Sequence, residues 1–429
     1  MSRWRAGLDR RTARLPWSNL DAGPAWLAPA AVGVAIGALL WLTVFGLAIE
    51  ESGAFIGYLA VVGLALTVMN LSRLGAWLGE AFRTHTRLAA ALGVLAAFAF
   101  PFTQGGSGYW VRVFASVGVF AIAALGLNVV VGLAGLLDLG YVAFFGVGAY
   151  VGALFAGARV TTIDTQLPFL LVVLIAAVVA AGTGLLIGAP TLRLRGDYLA
   201  IVTLGFGEIF RITAFNWNGL TRGPNGIAGI PDLAIGSFDF GDRHELFGVS
   251  LAAFTNYYFL EILLLLVAVV IFTRMDQSRI GRAWVAIRED ETAAEATGIN
   301  TVRLKLLAFA IGAGMAGVAG AVNVHVTSQV SPDSYTFIES ILLVAAVVLG
   351  GMGTVPGALL GSTLLFVIPE KLRAFQQSRL LFFGIALILL MRFRPQGLVP
   401  SKRRSRELRR REDVDEGSLG APPGSPVAS

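Results

Sequence analysis

The sequence contains no cysteine, and only three histidines and three lysines in 429 residues. The missing cysteine excludes disulfides, zinc-thiolate sites and thiol nucleophiles. His85, His244 and His325 stand far apart and form no local metal motif, so neither a metal nor a cofactor is expected. None of Lys305, Lys371 and Lys402 sits in a Gly-x-x-x-x-Gly-Lys-Ser/Thr loop, the arrangement that cradles nucleotide phosphates. If ATP drives this protein, another chain binds it. Charge is scarce too, at 14% of residues, where soluble domains carry about 25%. What replaces it is apolar: 56% of the chain, with a mean hydropathy of +0.74.

Apolar runs long enough to cross a bilayer recur from residue 27 to residue 392. The chain therefore reads as an all-α, polytopic membrane protein with about 10 to 12 crossings. The runs cover 27–49, 53–71, 88–102, 111–133, 137–157, 167–188, 198–217, 257–273, 306–327, 337–350, 355–369 and 379–392. Those at 88–102, 337–350, 355–369 and 379–392 are short, which fits tilted or re-entrant segments. Leu27 to Ile49 is too long for the apolar core of a cleavable signal and reads as a retained span.

Basic residues fix an orientation, because they are held on the cytoplasmic side during insertion. With both termini inside, 25 of the 33 Lys and Arg fall on inner segments. Lys371, Arg373 and Arg379 lie on the nominally outer side and oppose the pattern. The expected organisation is a basic N-terminus over 1–26, a membrane hairpin and basic connector over 27–87, a core over 88–400, and a tail over 401–429 that turns from basic to acidic. The polar segment after 217, with Arg222-Gly-Pro-Asn-Gly226, reads as an ordered outer loop able to face a soluble partner.

Among 52 glycines, the pairs Gly148/Gly152 and Gly184/Gly188 and the series Gly353, Gly357, Gly361 have helix-packing spacing. Two further groups interrupt apolar runs in the two halves of the chain. One comprises Gly132, Gly135 and Gly140, with Asp138 beside them, and the other Gly350, Gly351 and Gly353. Broken helices are tolerated where they line a cavity, which makes these pathway candidates; ordinary turns are the competing reading. Glu208 and Arg211, three apart within a span, read as an intramembrane ion pair, neutralising each other or serving transport.

The segment from Arg274 to Lys305 is predicted to be cytoplasmic, with Ser278 capping one helix over Arg279–Thr297 that stops at Gly298. Ala283, Ala286, Ile287, Ala293 and Ala294 share one side of it, and Arg288, Glu289, Glu291 and Glu295 the other. A small-residue face beside a charged face suits docking onto a soluble protein; a solvated interfacial helix is the alternative.

Several longer strings carry a resemblance: Gly126-Leu-Asn-Val-Val-Val-Gly132, Leu192-Arg-Leu-Arg-Gly-Asp-Tyr-Leu199 with Gly205-Phe-Gly-Glu208, Gly223-Pro-Asn-Gly226, Gly281-Arg-Ala-Trp284 with Arg288-Glu-Asp-Glu291, Val348-Leu-Gly-Gly-Met-Gly353, and Arg394-Pro-Gln-Gly-Leu398. Together they resemble the LivM-type permeases of bacterial ABC importers for branched-chain amino acids, over about residues 88 to 400. The resemblance implies a multi-pass subunit of the inner membrane that is not itself an enzyme and supplies half of the pathway for leucine, isoleucine and valine. Its implied partners are a homologous second permease, two ABC ATPase subunits, a periplasmic or extracellular substrate-binding protein and the lipid bilayer, with no nucleic acid. Relatives moving urea, amides or other amino acids, and more remotely an ion-coupled carrier, are alternatives. The implied ATPase-coupling residues are Arg282, Ala286, Arg288, Glu289, Glu291, Ala294 and Gly298, although Glu291-Thr-Ala-Ala294 lacks the later Leu-Pro of a strict Glu-Ala-Ala loop.

Overall fold

A computed structural model describes residues 26–49, 51–104, 108–157, 165–191, 197–235, 238–246 and 249–371, with isolated positions between 381 and 399. The expected span at 379–392 falls largely outside the described residues, as do the basic N-terminus, 192–196 and the tail from 400. Among the described residues, eight helices are long and apolar enough to cross a membrane. Two shorter apolar helices, Gly53–Met69 and Val142–Phe155, accompany them. The chain is an all-α polytopic membrane protein.

It divides into two compact units. The first comprises Met1–Val111, Arg243–Thr255 and Pro369–Gln376. Here α1 (Leu27–Ala48) and α2 (Ser52–Leu71) expose large apolar side chains such as Val34, Leu39, Trp41 and Leu64, as a lipid-facing hairpin should. The segment read as a polar connector is instead helical. Ser72 caps α3 (Arg73–Thr84), its hydroxyl accepting from the Gly75 amide at 3.3 Å. Glu80 and Arg83 share an exposed face, leaving Leu74, Trp77, Leu78 and Phe82 as an apolar stripe, the pattern of a helix lying in the membrane interface. Next comes α4 (Thr86–Ala99).

Lys371 is buried in this unit. Its ammonium donates to the carbonyls of Leu47 and Ile49 at the end of α1, and lies 4.6 Å from the ring of Trp110 and 5.4 Å from that of Phe55. A cation that counts against the basic-residue pattern thus satisfies the orphan carbonyls of a helix C-terminus.

The second unit comprises Arg112–Asp242, Asn256–Ile368 and Gln377–Ser429. The remaining helices are α5 (Gly108–Leu127), continued by a π-helix over Asn128–Leu133, then α6 (Val142–Phe155), α7 (Phe169–Thr191), α8 (Asp197–Asn216), α9 (Phe254–Asp276), α10 (Arg279–Glu289), α11 (Glu291–Ala296), α12 (Thr301–Thr327), α13 (Phe337–Gly350) and α14 (Val355–Lys371). The core lies where α6, α7 and α12 meet. Lipid offers no hydrophobic drive between helices, so close backbone approach must hold them. Gly148 faces Gly317, Gly152 faces Ala321 and Gly184 faces Ala313. A side-chain carbon at Gly148 or Gly320 would collide with the opposing backbone.

The polar segment after α8 is ordered by short pairings: β1 (Ile227–Ala228), β2 (Ala234–Ile235) with β3 (Phe238–Asp239), and β4 (His244–Leu246) with β5 (Val249–Leu251). β6 (Gln329–Val330) pairs antiparallel with β1 and so joins the segment to the end of α12. The Tyr257 hydroxyl donates to Asp232 at 2.8 Å and accepts from the Leu233 amide at 3.0 Å. The amide of Asn256 reaches the carbonyls of Phe240 and Asp242, both at 3.1 Å.

Candidate functional site

The polar segment between α9 and α12 forms two helices, not the single one predicted. Ser278 starts α10, accepting from the Gly281 amide at 3.1 Å. Asp290 then takes extended backbone (φ −155°, ψ 109°), and its carboxylate accepts from the Ala293 amide at 3.0 Å, ending one helix and capping the next. An aspartate at this point competes for backbone donors, which is why the periodic pattern did not carry through. Gly298 (φ +86°) closes α11, with the Ile299 amide bonded to the Ala294 carbonyl at 3.1 Å.

Much of the predicted docking face belongs to the protein's own packing. Trp284 is fully buried and donates from its indole to the Leu304 carbonyl at 2.7 Å. Ala294 is buried, Ala286 half-buried and Ala293 exposed. Glu291 bonds the buried Lys305 ammonium at 2.5 Å, and Glu295 accepts from Thr301 at 2.7 Å. These contacts fasten both helices onto the start of α12. Arg282, Glu289, Asp290, Glu295 and Gly298 are exposed.

Arg288 links this helix pair to the first glycine-interrupted segment. Its guanidinium donates to the Gly132 carbonyl at 2.5 Å. Its stem passes so close to Gly135 (φ +72°) that any side chain there would strike it. Gly132 lies in the last turn of the π-helix, a form that leaves carbonyls displaced from ordinary α-helical bonding and often marks functional sites.

Asn128, at the start of that π-helix and fully buried, joins the two interrupted segments. Its side-chain carbonyl accepts from the Gly353 amide at 2.7 Å and its amide donates to the Thr354 carbonyl at 3.0 Å. Gly132 is needed here because a side chain would collide with Asn128. On the far side, Leu398 and Val399 donate to the carbonyls of Leu349 and Gly350, each at 2.8 Å, and Gly351 lies against Val399. Gly357 and Gly361 of α14 pack directly on Gly350 and Ala346 of α13. Arg288 thus holds Gly132, and Asn128, four residues earlier on the same π-helix, holds Gly353, which ties the helix pair to both interrupted segments.

The loop beyond Gly135 is held separately. Asp138 is buried; one carboxylate oxygen accepts from the Gly140 amide at 3.0 Å, and the other has no partner among the described residues. Gly140 abuts the backbone of α8 at Thr203, whose hydroxyl accepts from the Leu139 amide at 3.1 Å.

Glu208 and Arg211 belong to neither cluster. Their contact is bidentate, with Nε 3.1 Å and Nη2 2.5 Å from Glu208 Oε1. Asp333, in the turn before α13, lies 3.7 Å from Arg211 Nη1. The structure brings Arg288, Gly132 and Gly353 together, sets Asp138 and Gly140 against Thr203, and leaves Glu208 and Arg211 as a separate edge. Asn128, Trp284 and Lys305 carry contacts that sequence reasoning did not single out. For Asn128 a signal was present, a lone amide within a long apolar run, since such a group must find a partner inside the membrane.

Many spans, a core closed by glycine, an ordered polar loop and a polar helix pair bonded to an interrupted span define a class: a multi-pass membrane transport subunit. Comparison with known proteins specifies it. Residues 109–391 match the family described as branched-chain amino acid transport system / permease component. The high-affinity branched-chain amino acid transport system permease protein LivM of Salmonella typhimurium is 43% identical over 297 residues, covering 66% of this chain and 68% of the relative. LivM of Escherichia coli is 42% identical over 299 residues, with the same coverage. LivH of Salmonella typhimurium is 29% identical over 285 residues, covering 65% of this chain and 91% of the relative. No solved structure matches. The chain belongs to the permease-component family of branched-chain amino acid transport systems, and it is a multi-pass protein of the inner membrane.

Proposed function

We propose that this chain is the LivM-type permease subunit of an ATP-driven importer of leucine, isoleucine and valine, forming half of the translocation pathway. It has no catalytic role. A homologous second permease supplies the other half, two ABC ATPase subunits dock on the cytoplasmic side, and a substrate-binding protein delivers the amino acid to the outer loop. In this reading α10 and α11 are the cytoplasmic docking element and the core extends over 88–400, with the 27–87 hairpin an addition to it. Both termini are cytoplasmic and the full chain makes about 10 to 12 crossings.

The observation that carries the reading is the bond from Arg288 to Gly132. It gives the docking element a direct hold on an interrupted span, and hence a route by which ATPase closure moves the pathway. The test is reconstitution of the full complex in vesicles. ATP-dependent leucine uptake that requires the loaded binding protein is expected, while ATP-dependent uptake of urea or acetamide without leucine uptake would replace the substrate assignment. Impermeant labelling of a cysteine placed at Asp290 in intact cells would refute the orientation.

A further inference from the structure

Helix α8 has two contrasting sides. Ala200, Thr203 and Ala214 are buried, and Gly207 meets Gly140. Ile201, Gly205, Glu208, Ile212 and Phe215, at the 4-3-4-3 spacing of one helix side, run along the other. That side is open: Ile201 is 63% exposed and Ile212 49%. A side-chain carbon at Gly205 would meet nothing within 4 Å, so no internal packing requires this glycine. The Arg211 and Glu208 side chains are 28% and 41% exposed, with Glu208 near the middle of the Tyr198–Asn216 span and Arg211 one turn nearer its end. Such charges facing lipid are strongly disfavoured, and in membrane proteins they face a protein interior or a water-filled cavity. Lipid is therefore a poor cover for Glu208 and Arg211.

The charges are also incompletely used. Arg211 Nε and Nη2 are committed to Glu208, whereas among the described residues Nη1 has only Asp333 at 3.7 Å, beyond hydrogen-bonding distance. The Asp333 side chain is 69% exposed. Behind the edge, the rings of Tyr150, Phe210 and Tyr335 lie 6.2–6.3 Å apart, and the buried Tyr150 hydroxyl has no hydrogen-bond partner among the described residues. One cation with donors to spare, between two carboxylates and beside exposed Ile212, matches an apolar molecule carrying one positive and one negative charge.

We propose that this side of α8 is a wall of the translocation pathway, and that Arg211, Glu208 and Asp333 hold the α-amino acid zwitterion in transit. The carboxylate meets Nη1 of Arg211, the ammonium lies between Asp333 and Glu208, and the aliphatic side chain rests on Ile212. This assignment rests on the importer reading above and adds the place where the permease itself recognises its cargo.

The test uses the assembled complex with Ile212→Cys in this naturally cysteine-free chain, labelled by a small water-soluble thiol reagent. Leucine is expected to slow labelling at least about threefold, while isovalerate and isopentylamine, each bearing one of its two charges, do not. Arg211→Gln should abolish the protection and lower uptake at least about tenfold, with ATPase stimulation by the loaded binding protein retained. The exchanged pair Glu208→Arg with Arg211→Glu should stay defective, whereas a purely structural ion pair would be restored. A complex that imports leucine yet shows no labelling at 212, or labelling that leucine does not slow, overturns the proposal. A complex that imports no leucine refutes the importer reading instead.

Discussion

Asn128 and Arg211 are both polar residues within apolar spans, yet their surroundings differ in kind. Asn128 is fully buried, with its amide and carbonyl each bonded to the second interrupted segment. Arg211 lies at an open edge, where its Nη1 has no hydrogen bond among the described residues and Asp333 is 3.7 Å away. A buried polar group whose bonds are all made fixes one arrangement and resists change. A half-satisfied group on an uncovered side waits for a partner. The first arrangement suits transmission of a movement, the second contact with cargo.

Glycine substitution sharpens that contrast most strongly. Gly140→Ala would press a methyl into the Thr203 backbone, and Gly148→Ala would do the same at Gly317. Neither backbone can move aside cheaply, so both variants should lose most folded, extractable protein, as size-exclusion yield would show. Gly205→Ala, on the open side of α8, should keep wild-type yield. Equal losses at 140 and 205 would mean that this side is packed after all.

The helix pair offers the next largest effect. Glu291→Ala leaves Lys305 buried without its carboxylate, and breaking such a pair costs roughly 3 kcal/mol or more. A clear fall in detergent Tm is expected, while the double replacement Glu291→Leu with Lys305→Met should recover much of it. Without that recovery, the pair would have a role beyond packing. A smaller effect is expected at Lys371→Met: loss of its bonds to the end of α1 should speed proteolysis of the N-terminal hairpin, with uptake by the complex close to normal.

Much of this organisation was legible in the chain. Hydropathy located the eight helices long and apolar enough to cross a membrane among the described residues, fewer than the 10 to 12 crossings expected, and glycine spacing identified Gly148, Gly152 and Gly184 as contact points, because close helix approach admits few other residues. Both interrupted segments were visible, since glycine clusters stand out in apolar runs. Their mutual contact was not: Asn128 and Gly353 are more than two hundred positions apart, and no local pattern encodes such a pairing. The docking segment was half legible. Its amphipathic period was plain, but only the fold shows that Ala294 and Glu291 turn toward α12. Ser72–Arg87 read as a connector because its charges drew attention from the stripe of Leu74, Trp77, Leu78 and Phe82.

If α10 and α11 dock the ATPases as proposed, they move the pathway through Arg288, Gly132 and Asn128. The most direct measurement is the ATP hydrolysed per leucine imported by the reconstituted complex carrying Arg288→Gln or Asn128→Ser. Both variants keep a similar side-chain length or polarity while removing the bonds to Gly132 or Gly353. Assembly and stimulated hydrolysis should persist while the ratio rises at least about tenfold in each, because closure no longer reaches the interrupted spans. A wild-type ratio in both variants would contradict this route of coupling.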